Sequence, residues 1–155
     1  MSDRLAKIRE TCLRLLARRE HSQKELLNKL LVKGFDKDEI LPVIEELTQQ
    51  GWQSDSRYAE SYARHRIQQG YGPLSVLYEL RQNGIDVVNL DEIVQIVAGS
   101  WMERLEQVYS KKYTHDTVLD FNEWAKRSRF LLHRGFPGAM ISALFDHLNI
   151  KMNKF

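Results

Sequence analysis

Cysteine is nearly absent from this sequence, since Cys12 is the only one among 155 residues. A single thiol cannot close an intrachain disulfide, and such sparse use of cysteine fits a reducing compartment. Cys12 falls on an apolar helical stripe, where a small buried side chain is a simpler interpretation than a nucleophile. The five histidines are scattered, and none stands four residues from another. Because zinc sites need several spaced Cys or His ligands, we expect no metal site.

Long hydrophobic runs are also absent. No stretch approaches the roughly 20 apolar residues of a membrane-spanning helix. The first ten residues, MSDRLAKIRE, are charged almost from the start and lack the apolar core of a signal peptide. Hydrophobic residues make up 43% of the chain and charged residues 28%, which is typical of a folded globular domain. We therefore expect a cytoplasmic protein without a membrane segment.

The familiar catalytic motifs are missing. Gly70-Tyr71-Gly72 could begin a phosphate-binding loop, but no third glycine and no Lys-Ser/Thr pair follows, and the preceding pattern is helical. The same segment is also explained by a turn between two helices. One helix would end at Gly70, Gly72 would cap the next, and that helix would begin at Pro73. No nucleophile elbow or kinase signature occurs elsewhere. We expect no enzyme, no catalytic residue and no cofactor.

Amphipathic helices account for almost all of the chain. Apolar residues recur at a period near 3.6 throughout, as between Ile40 and Leu47. Start signals such as the capping box Ser22-x-x-Glu25 alternate with stop signals at glycine. Pro42 lies inside one apolar stripe and implies either a late helix start or a kink. No strand pattern competes, so we predict an all-α protein of about nine helices.

A short motif recurs three times along the chain. Lys33-Gly34-Phe35, Asn83-Gly84-Ile85 and Arg134-Gly135-Phe136 lie 50 and 51 residues apart, and each follows a predicted helix. A period of this size indicates tandem structural repeats. Three three-helix modules laid end to end would form an elongated body, suited to lying along another polymer, while a compact globule is the alternative. The predicted modules are residues 1–53, 54–99 and 100–155.

Basic residues are clustered, although the formal net charge is only +2. Three segments, 57–66, 109–113 and 124–130, combine cations with aromatic rings. Cations beside rings suit phosphate pairing and base stacking, but rings at helical spacing more often belong to the core. For the cations, partner binding and plain solubility explain the pattern equally well. The candidate contact residues for an acidic protein or for DNA phosphates are Arg57, Arg64, Arg66, Arg81, Lys111, Lys112, Arg127, Arg129 and Arg134.

Four segments together carry a family resemblance. They read R-R-E-H-S-x-x-E-L-x-x-K-L (18–30), G-W-Q-S-D-S-R-Y-A (51–59), G-Y-G-P-x-x-V-x-x-E-L-x-x-N-G-I (70–85) and R-F-L-L-H-R-G-F (129–136). In this order they resemble the RecX family, which regulates the RecA recombinase, and the similarity covers nearly the whole chain. The family often has an aromatic residue followed by Leu or Ile where this chain has Trp52 and Gln53. Its basic residue after GYGP is replaced here by Leu74-Ser75.

This resemblance implies a non-enzymatic cytoplasmic regulator built from tandem three-helix repeats. We expect the protein to be a monomer. Members of the family bind in the groove of the RecA filament on single-stranded DNA and bridge neighbouring protomers. They limit filament growth and suppress ATP hydrolysis, strand exchange and the coprotease activity behind the SOS response. The expected partners are the RecA filament and single-stranded DNA, contacted directly or through RecA. The alternative is a stand-alone helical DNA-binding module that acts through basic patches.

Overall fold

The computed structural model describes residues 2–153, and this part of the chain forms nine helices. The first three helices are α1 (Asp3–Arg18), α2 (Gln23–Val32) and α3 (Lys37–Gln49). The next three are α4 (Asp55–Gln68), α5 (Pro73–Gln82) and α6 (Leu90–Ala98). The last three are α7 (Trp101–Lys112), α8 (Phe121–His133) and α9 (Gly138–His147). The predicted helical class is confirmed, and so is the helix number within the described residues.

The expectation of a strand-free chain is wrong at four residues. β1 (Val118–Leu119) and β2 (Lys151–Met152) pair in parallel, and Val118 lies opposite Lys151. Strands of two residues carry no alternation of apolar and polar side chains, so no sequence period reveals them. The pair joins the segment before α8 to the segment after α9.

Helix starts follow their sequence signals closely. The Ser22 hydroxyl accepts a hydrogen bond from the backbone N–H of Glu25, and the Glu25 carboxylate accepts one from the backbone N–H of Ser22, which is the predicted capping box. α3 begins at Lys37, well before Pro42, so the late start that Pro42 could imply is excluded.

The three repeated glycine motifs end their helices in the same way. Gly34, Gly84 and Gly135 have φ angles of 96°, 85° and 95°, in the left-handed region that favours glycine. The residue after each glycine donates its backbone N–H to the carbonyl five residues earlier, at 3.2, 2.9 and 3.2 Å. This pattern is the Schellman motif, which pairs carbonyls that the last helical turn leaves open. The sequence repeat therefore marks a repeated backbone structure.

The described chain divides into two compact units. The first comprises the residues up to Tyr62 together with Leu80–Val88. The second comprises Ala63–Glu79 and the residues from Asn89 onward. The module boundaries predicted from the glycine repeat follow a different division of the chain, and they stay a prediction.

The first unit is held by an apolar core from α1, α2 and α3. Cys12 is fully buried in it, as its place on an apolar stripe predicts. Burial raises the pKa of the Cys12 thiol to about 11, so the neutral thiol is the form present near neutral pH. The buried core residues are Ile8, Cys12, Leu26, Leu30, Ile40, Val43, Ile44 and Leu47.

The second unit has its own core, to which α7, α8, α9 and β1 contribute. Tyr109 is fully buried at its centre, and its ring lies 5.7 Å from that of Phe145. Tyr109 therefore belongs to the core rather than to a stacking surface, which is the more frequent role for a ring at helical spacing. The core residues are Leu105, Val108, Tyr109, Leu119, Leu131, Phe136, Ile141, Leu144, Phe145 and Ile150.

Candidate functional site

The loop between α4 and α5 is docked on the loop that follows α8. The backbone N–H of Gly72 donates to the carbonyl of Arg134 at 2.7 Å, and that of Leu74 donates to the carbonyl of Gly135 at 3.0 Å. A Cβ atom on Gly72 would lie 2.6 Å from the backbone carbonyl of Gly135, so only glycine fits this approach. Gly70 ends α4 with a φ of 93°, and α5 begins at Pro73, as predicted. The GYGP segment is thus a helix-to-helix turn that packs on another turn.

Cations and rings alternate beside this docked loop. The Arg134 guanidinium lies 4.8 Å from the ring centre of Tyr71 and 5.2 Å from that of Phe130. Lys112 Nζ lies 3.8 Å from the ring centre of Phe130, and the Arg66 guanidinium lies 3.6 Å from that of Tyr71. A cation over a ring face is attracted by the ring quadrupole. The order Lys112, Phe130, Arg134, Tyr71, Arg66 is called the cation–ring ladder below.

A pocket of about 400 Å³ opens next to the ladder, within the second unit. Helix α7 supplies one wall, since Arg104, Gln107 and Lys111 recur at helical spacing along it. The end of α4 and the end of α8 supply the rest. No acidic residue is among the described residues that line it, which are Gln68, Gln69, Gly70, Arg104, Gln107, Val108, Lys111, Lys112, Phe130 and Arg134.

Two arginines of the pocket are anchored on the C-terminal end of α4. Arg104 donates from Nε to the carbonyl of Ile67 and from a terminal nitrogen to that of Gln68, both at 2.8 Å. Arg134 donates to the carbonyl of Gln69 at 3.0 Å. The last carbonyls of a helix lack intrahelical partners and carry partial negative charge, so they hold cations well. Burial lowers the pKa of Arg104, whose ordinary value is far above neutral pH, and the guanidinium stays charged.

Four of the predicted contact residues lie on the surface without a side-chain hydrogen bond or ion pair to the described residues. Among the described residues, none of the four has a hydrogen-bond or ion-pair partner for its side chain, and all four are exposed. A partner can therefore bind these charges without breaking an internal hydrogen bond or ion pair, although Lys112 also lies over the Phe130 ring. They are Arg81, Lys111, Lys112 and Arg129. Arg64 is exposed as well.

Two further predicted residues are used inside the fold. Arg57 pairs with Glu20 at 3.0 Å and donates to the carbonyl of Gly51 at 2.8 Å. Arg66 pairs with Glu79 at 2.9 Å, and the two side chains are 23% and 25% exposed. Such half-exposed pairs contribute little stability each, but they fix the direction of the side chain.

Arg127 is placed differently from the expectation that it faces a partner. The residue is only 5% exposed, because α8 turns it towards α7 and the loop after it. Its guanidinium donates to the Tyr109 hydroxyl at 2.8 Å and to the Thr114 carbonyl at 3.1 Å, and it pairs with Glu123 and Asp116. Burial alone would lower the pKa of Arg127, but these hydrogen bonds and charges raise it. We therefore assign Arg127 to the structure of the second unit.

Arg104, Tyr71 and Phe130 are not among the contact residues predicted from the sequence, although Phe130 ends the cation–ring segment 124–130. Arg104 stands seven residues before Lys111, and that helical spacing is a signal that could have found it. The ladder contacts Lys112–Phe130 and Tyr71–Arg134 join residues far apart in the sequence, and no local pattern contains them. The contact between Phe130 and Arg134 has the i,i+4 spacing of a helix, which is a local signal.

Two other kinds of site are missing from residues 2–153. No helix there is long and apolar enough to span a bilayer. No group of three or more His, Cys, Asp or Glu side chains lies together as metal ligands would within the same residues.

Three family models match the chain in order. The first three-helix domain of RecX matches residues 9–47, the second matches 54–92 and the third matches 102–145. The first match overlaps α1 to α3, the second overlaps α4, α5 and the start of α6, and the third overlaps α7 to α9. The regularity of the glycine motif thus coincides with a repeat that defines a family.

Similar proteins and structures carry the same name. The regulatory protein RecX of Pseudomonas fluorescens (strain SBW25) is 39% identical over 144 residues, which cover 93% of each chain. That of Legionella pneumophila (strain Corby) is 38% identical and covers 93% of this chain and 96% of its own. The crystal structure of RecX from Lactobacillus salivarius superposes with a TM-score of 0.72 at 25% identity, over 96% of this chain and 99% of that one. A second crystal structure, of a regulatory protein RecX, has a TM-score of 0.73 over 93% of this chain and 72% of that one, at 22% identity.

The second superposition alone would show only the fold, because its sequence identity is low. The three matched domains, in order, and the two relatives that match over almost their whole length show more. This chain belongs to the RecX family of regulatory proteins.

Proposed function

We propose that this protein binds the RecA filament on single-stranded DNA and lowers its activity in ATP hydrolysis, strand exchange and coprotease function. The observation that carries the proposal is membership of the RecX family over 93% of the chain. Its role in the cell would be to restrain recombination and the SOS response. The chain itself performs no chemical step in this proposal, since the ATP is hydrolysed by RecA.

The exposed cations support contact with a filament. Arg81 and Arg129 lie on the surface without internal partners among the described residues, so they can bind an acidic protein surface or a DNA phosphate. Charge-assisted hydrogen bonds of this kind are about twice as strong as neutral ones. They also steer the encounter, and that effect weakens as salt rises.

Co-sedimentation of the protein with RecA filaments tests the proposal. Filaments are assembled on single-stranded DNA, and the pelleted protein is measured against RecA alone and against DNA alone. We expect retention with filaments well above both controls. An Arg81→Ala/Arg129→Ala variant should bind more weakly, whereas Lys33→Ala/Lys37→Ala, which removes the same charge from two other exposed sites, should bind normally. Equal weakening by both variants would remove Arg81 and Arg129 from the contact set.

Direct DNA binding is a second candidate function, and the cationic pocket is the observation that favours it. A stand-alone DNA-binding module would retain the protein on DNA without RecA, with an affinity that falls steeply as salt rises. In the co-sedimentation experiment, this function predicts equal retention on DNA alone and on filaments.

A further inference from the structure

The pocket beside the cation–ring ladder concentrates positive charge. Arg104, Lys111, Lys112 and Arg134 all line its volume of about 400 Å³. None of the four forms an ion pair with any carboxylate among the described residues. Like charges held together without counter-charges repel, so the arrangement is stabilised when an anion enters. The positive charge of the pocket is therefore suited to binding a negatively charged ligand.

The pocket is also pre-organised. Arg104 uses three of its N–H groups, towards the carbonyls of Ile67 and Gln68 and the side-chain oxygen of Gln107 at 2.9 Å. Arg134 is held by one carbonyl and by two rings. A guanidinium has five N–H donors, so both arginines keep donors for a ligand while their positions are fixed. Fixing them before binding reduces the entropy lost when a ligand binds.

Gly70 leaves room where the two guanidinium groups converge. A Cβ atom at this position would lie 3.6 Å from a terminal nitrogen of Arg134 and 4.0 Å from one of Arg104. Both guanidinium groups therefore reach the same side of the Gly70 backbone. Lys111 and Lys112 add two further charges from exposed positions at the end of α7, and Lys112 Nζ lies over the Phe130 ring at the edge of the pocket.

We propose that this pocket binds phosphate groups, and that a compact oligophosphate is the ligand class it fits best. Four cations around one small volume match several closely spaced negative charges, as in pyrophosphate, tripolyphosphate or the phosphate chain of a nucleotide. A strand of nucleic acid offers the same phosphate chemistry, but with one charge per nucleotide spread along its length. Arginine forks and lysine ammonium groups are the side chains that recognise phosphate in proteins.

Isothermal titration calorimetry on the full chain, without RecA and without magnesium, tests the site. The probes are tripolyphosphate, ATP and a single-stranded oligothymidylate. The variant is Lys111→Gln/Lys112→Gln, because neither side chain forms a hydrogen bond or ion pair with the described residues and the fold should be retained. Its matched control is Lys33→Gln/Lys37→Gln, which removes the same charge outside the pocket. Lys111→Arg/Lys112→Arg serves as the conservative rescue.

We expect tripolyphosphate to bind, and the pocket variant to raise its Kd at least about tenfold, as loss of two charged contacts implies. The control and the arginine variant should keep the parent affinity within about threefold. If ATP binds with similar affinity, the phosphate groups that the pocket binds can be those of a nucleotide. Binding of oligothymidylate alone, lost in the pocket variant, would assign them to a nucleic-acid backbone.

Two results would overturn the proposal. One is that none of the three probes binds at low salt. The other is that the pocket variant and its control lose the same affinity, since the attraction would then come from net charge. Because RecA is absent, either failure leaves the filament proposal standing, and inhibition of RecA can fail while the pocket still binds phosphate.

Discussion

The guanidinium of Arg134 lies between two rings, 4.8 Å from the centre of Tyr71 and 5.2 Å from that of Phe130. Tyr71 belongs to the GYGP segment, and Arg134 belongs to the third copy of the glycine motif. The backbone of Arg134 also accepts the N–H of Gly72 at 2.7 Å. Two motifs that are far apart in the sequence therefore form one structural feature, which positions a cation at the edge of the pocket.

The close approach of the two loops predicts a strict requirement for glycine at position 72. In Gly72→Ala, the new Cβ would lie 2.6 Å from the carbonyl carbon and oxygen of Gly135 and 2.7 Å from the nitrogen of Phe136. Backbone atoms cannot move aside cheaply, so we expect a loss of about 2 kcal/mol or more in the free energy of unfolding by urea.

Gly138→Ala is the matched control, because nothing lies within 4 Å of a Cβ there and the residue starts α9. Its effect should stay within about 1 kcal/mol, since alanine favours a helix. Equal stability of the two variants would contradict the docked-loop structure.

Substitution of Arg127 and of Arg129 should affect stability differently, because the first is a buried structural residue and the second lies on the surface. Arg127→Ala removes a buried group that bonds to Tyr109, Thr114 and Glu123, and it leaves the Tyr109 hydroxyl unpaired. We expect a loss of about 3 kcal/mol in the free energy of urea unfolding.

Arg129→Ala, two residues further along α8, removes an exposed side chain without internal partners among the described residues and should change stability by less than about 0.5 kcal/mol. A stable Arg127→Ala protein with weakened filament binding would return Arg127 to the interface.

His21 predicts a loss of stability in mild acid. The residue is 1% exposed; its Nε2 accepts from Lys29 Nζ at 2.8 Å and its Nδ1 donates to the Arg19 carbonyl at 3.1 Å. Burial is the largest cause that lowers the pKa of His21, and the charges of Arg19 and Lys29 add to it, while the hydrogen bond to the Arg19 backbone and the charge of Glu25 oppose it. Both ring nitrogens are used by the neutral form, so protonation breaks the contact with Lys29.

The direction of the pH effect follows from proton uptake. The pKa of a histidine in the unfolded chain is near 6.5, and the pKa of His21 in the folded chain is lower. Between these two values the unfolded chain binds more protons than the folded chain, so stability falls as the pH falls. The stability that neutral His21 provides is present above about pH 6.5 and is lost towards the folded pKa. The free energy of urea unfolding should fall less between about pH 7.5 and about pH 5.5 for His21→Gln than for the parent protein. His133→Gln, at an exposed position, should keep the parental loss. Identical losses in all three proteins would exclude His21 as the cause.

Local features of the fold are readable from the sequence because their causes are local. The stop at Gly70 and the start at Pro73 depend on the φ preferences of single residues, and the Ser22–Glu25 capping box depends on one turn of helix. The burial of Arg127 has a local signal too, since it stands three residues after Trp124 and four before Leu131 on one apolar stripe.

Tertiary features are not readable in this way. Gln53 is a polar residue that is only 1% exposed, and it is bonded to Thr48, to Asp55 and to the carbonyl of His21. Its polarity makes sense only when these partners are known, because a buried amide without them would be costly. The pocket cannot be predicted locally either, since it forms where the ends of α4 and α8 meet one face of α7.

The central claim is that this chain restrains RecA, and the ATPase of RecA on single-stranded DNA measures that most directly. The full chain is titrated into preformed filaments, and ATP hydrolysis is followed at constant RecA and DNA. We predict a fall in the rate at protein concentrations below that of RecA, because a protein bound to a filament affects neighbouring protomers. An unchanged rate with excess protein, under conditions in which the protein remains folded, would contradict the proposal.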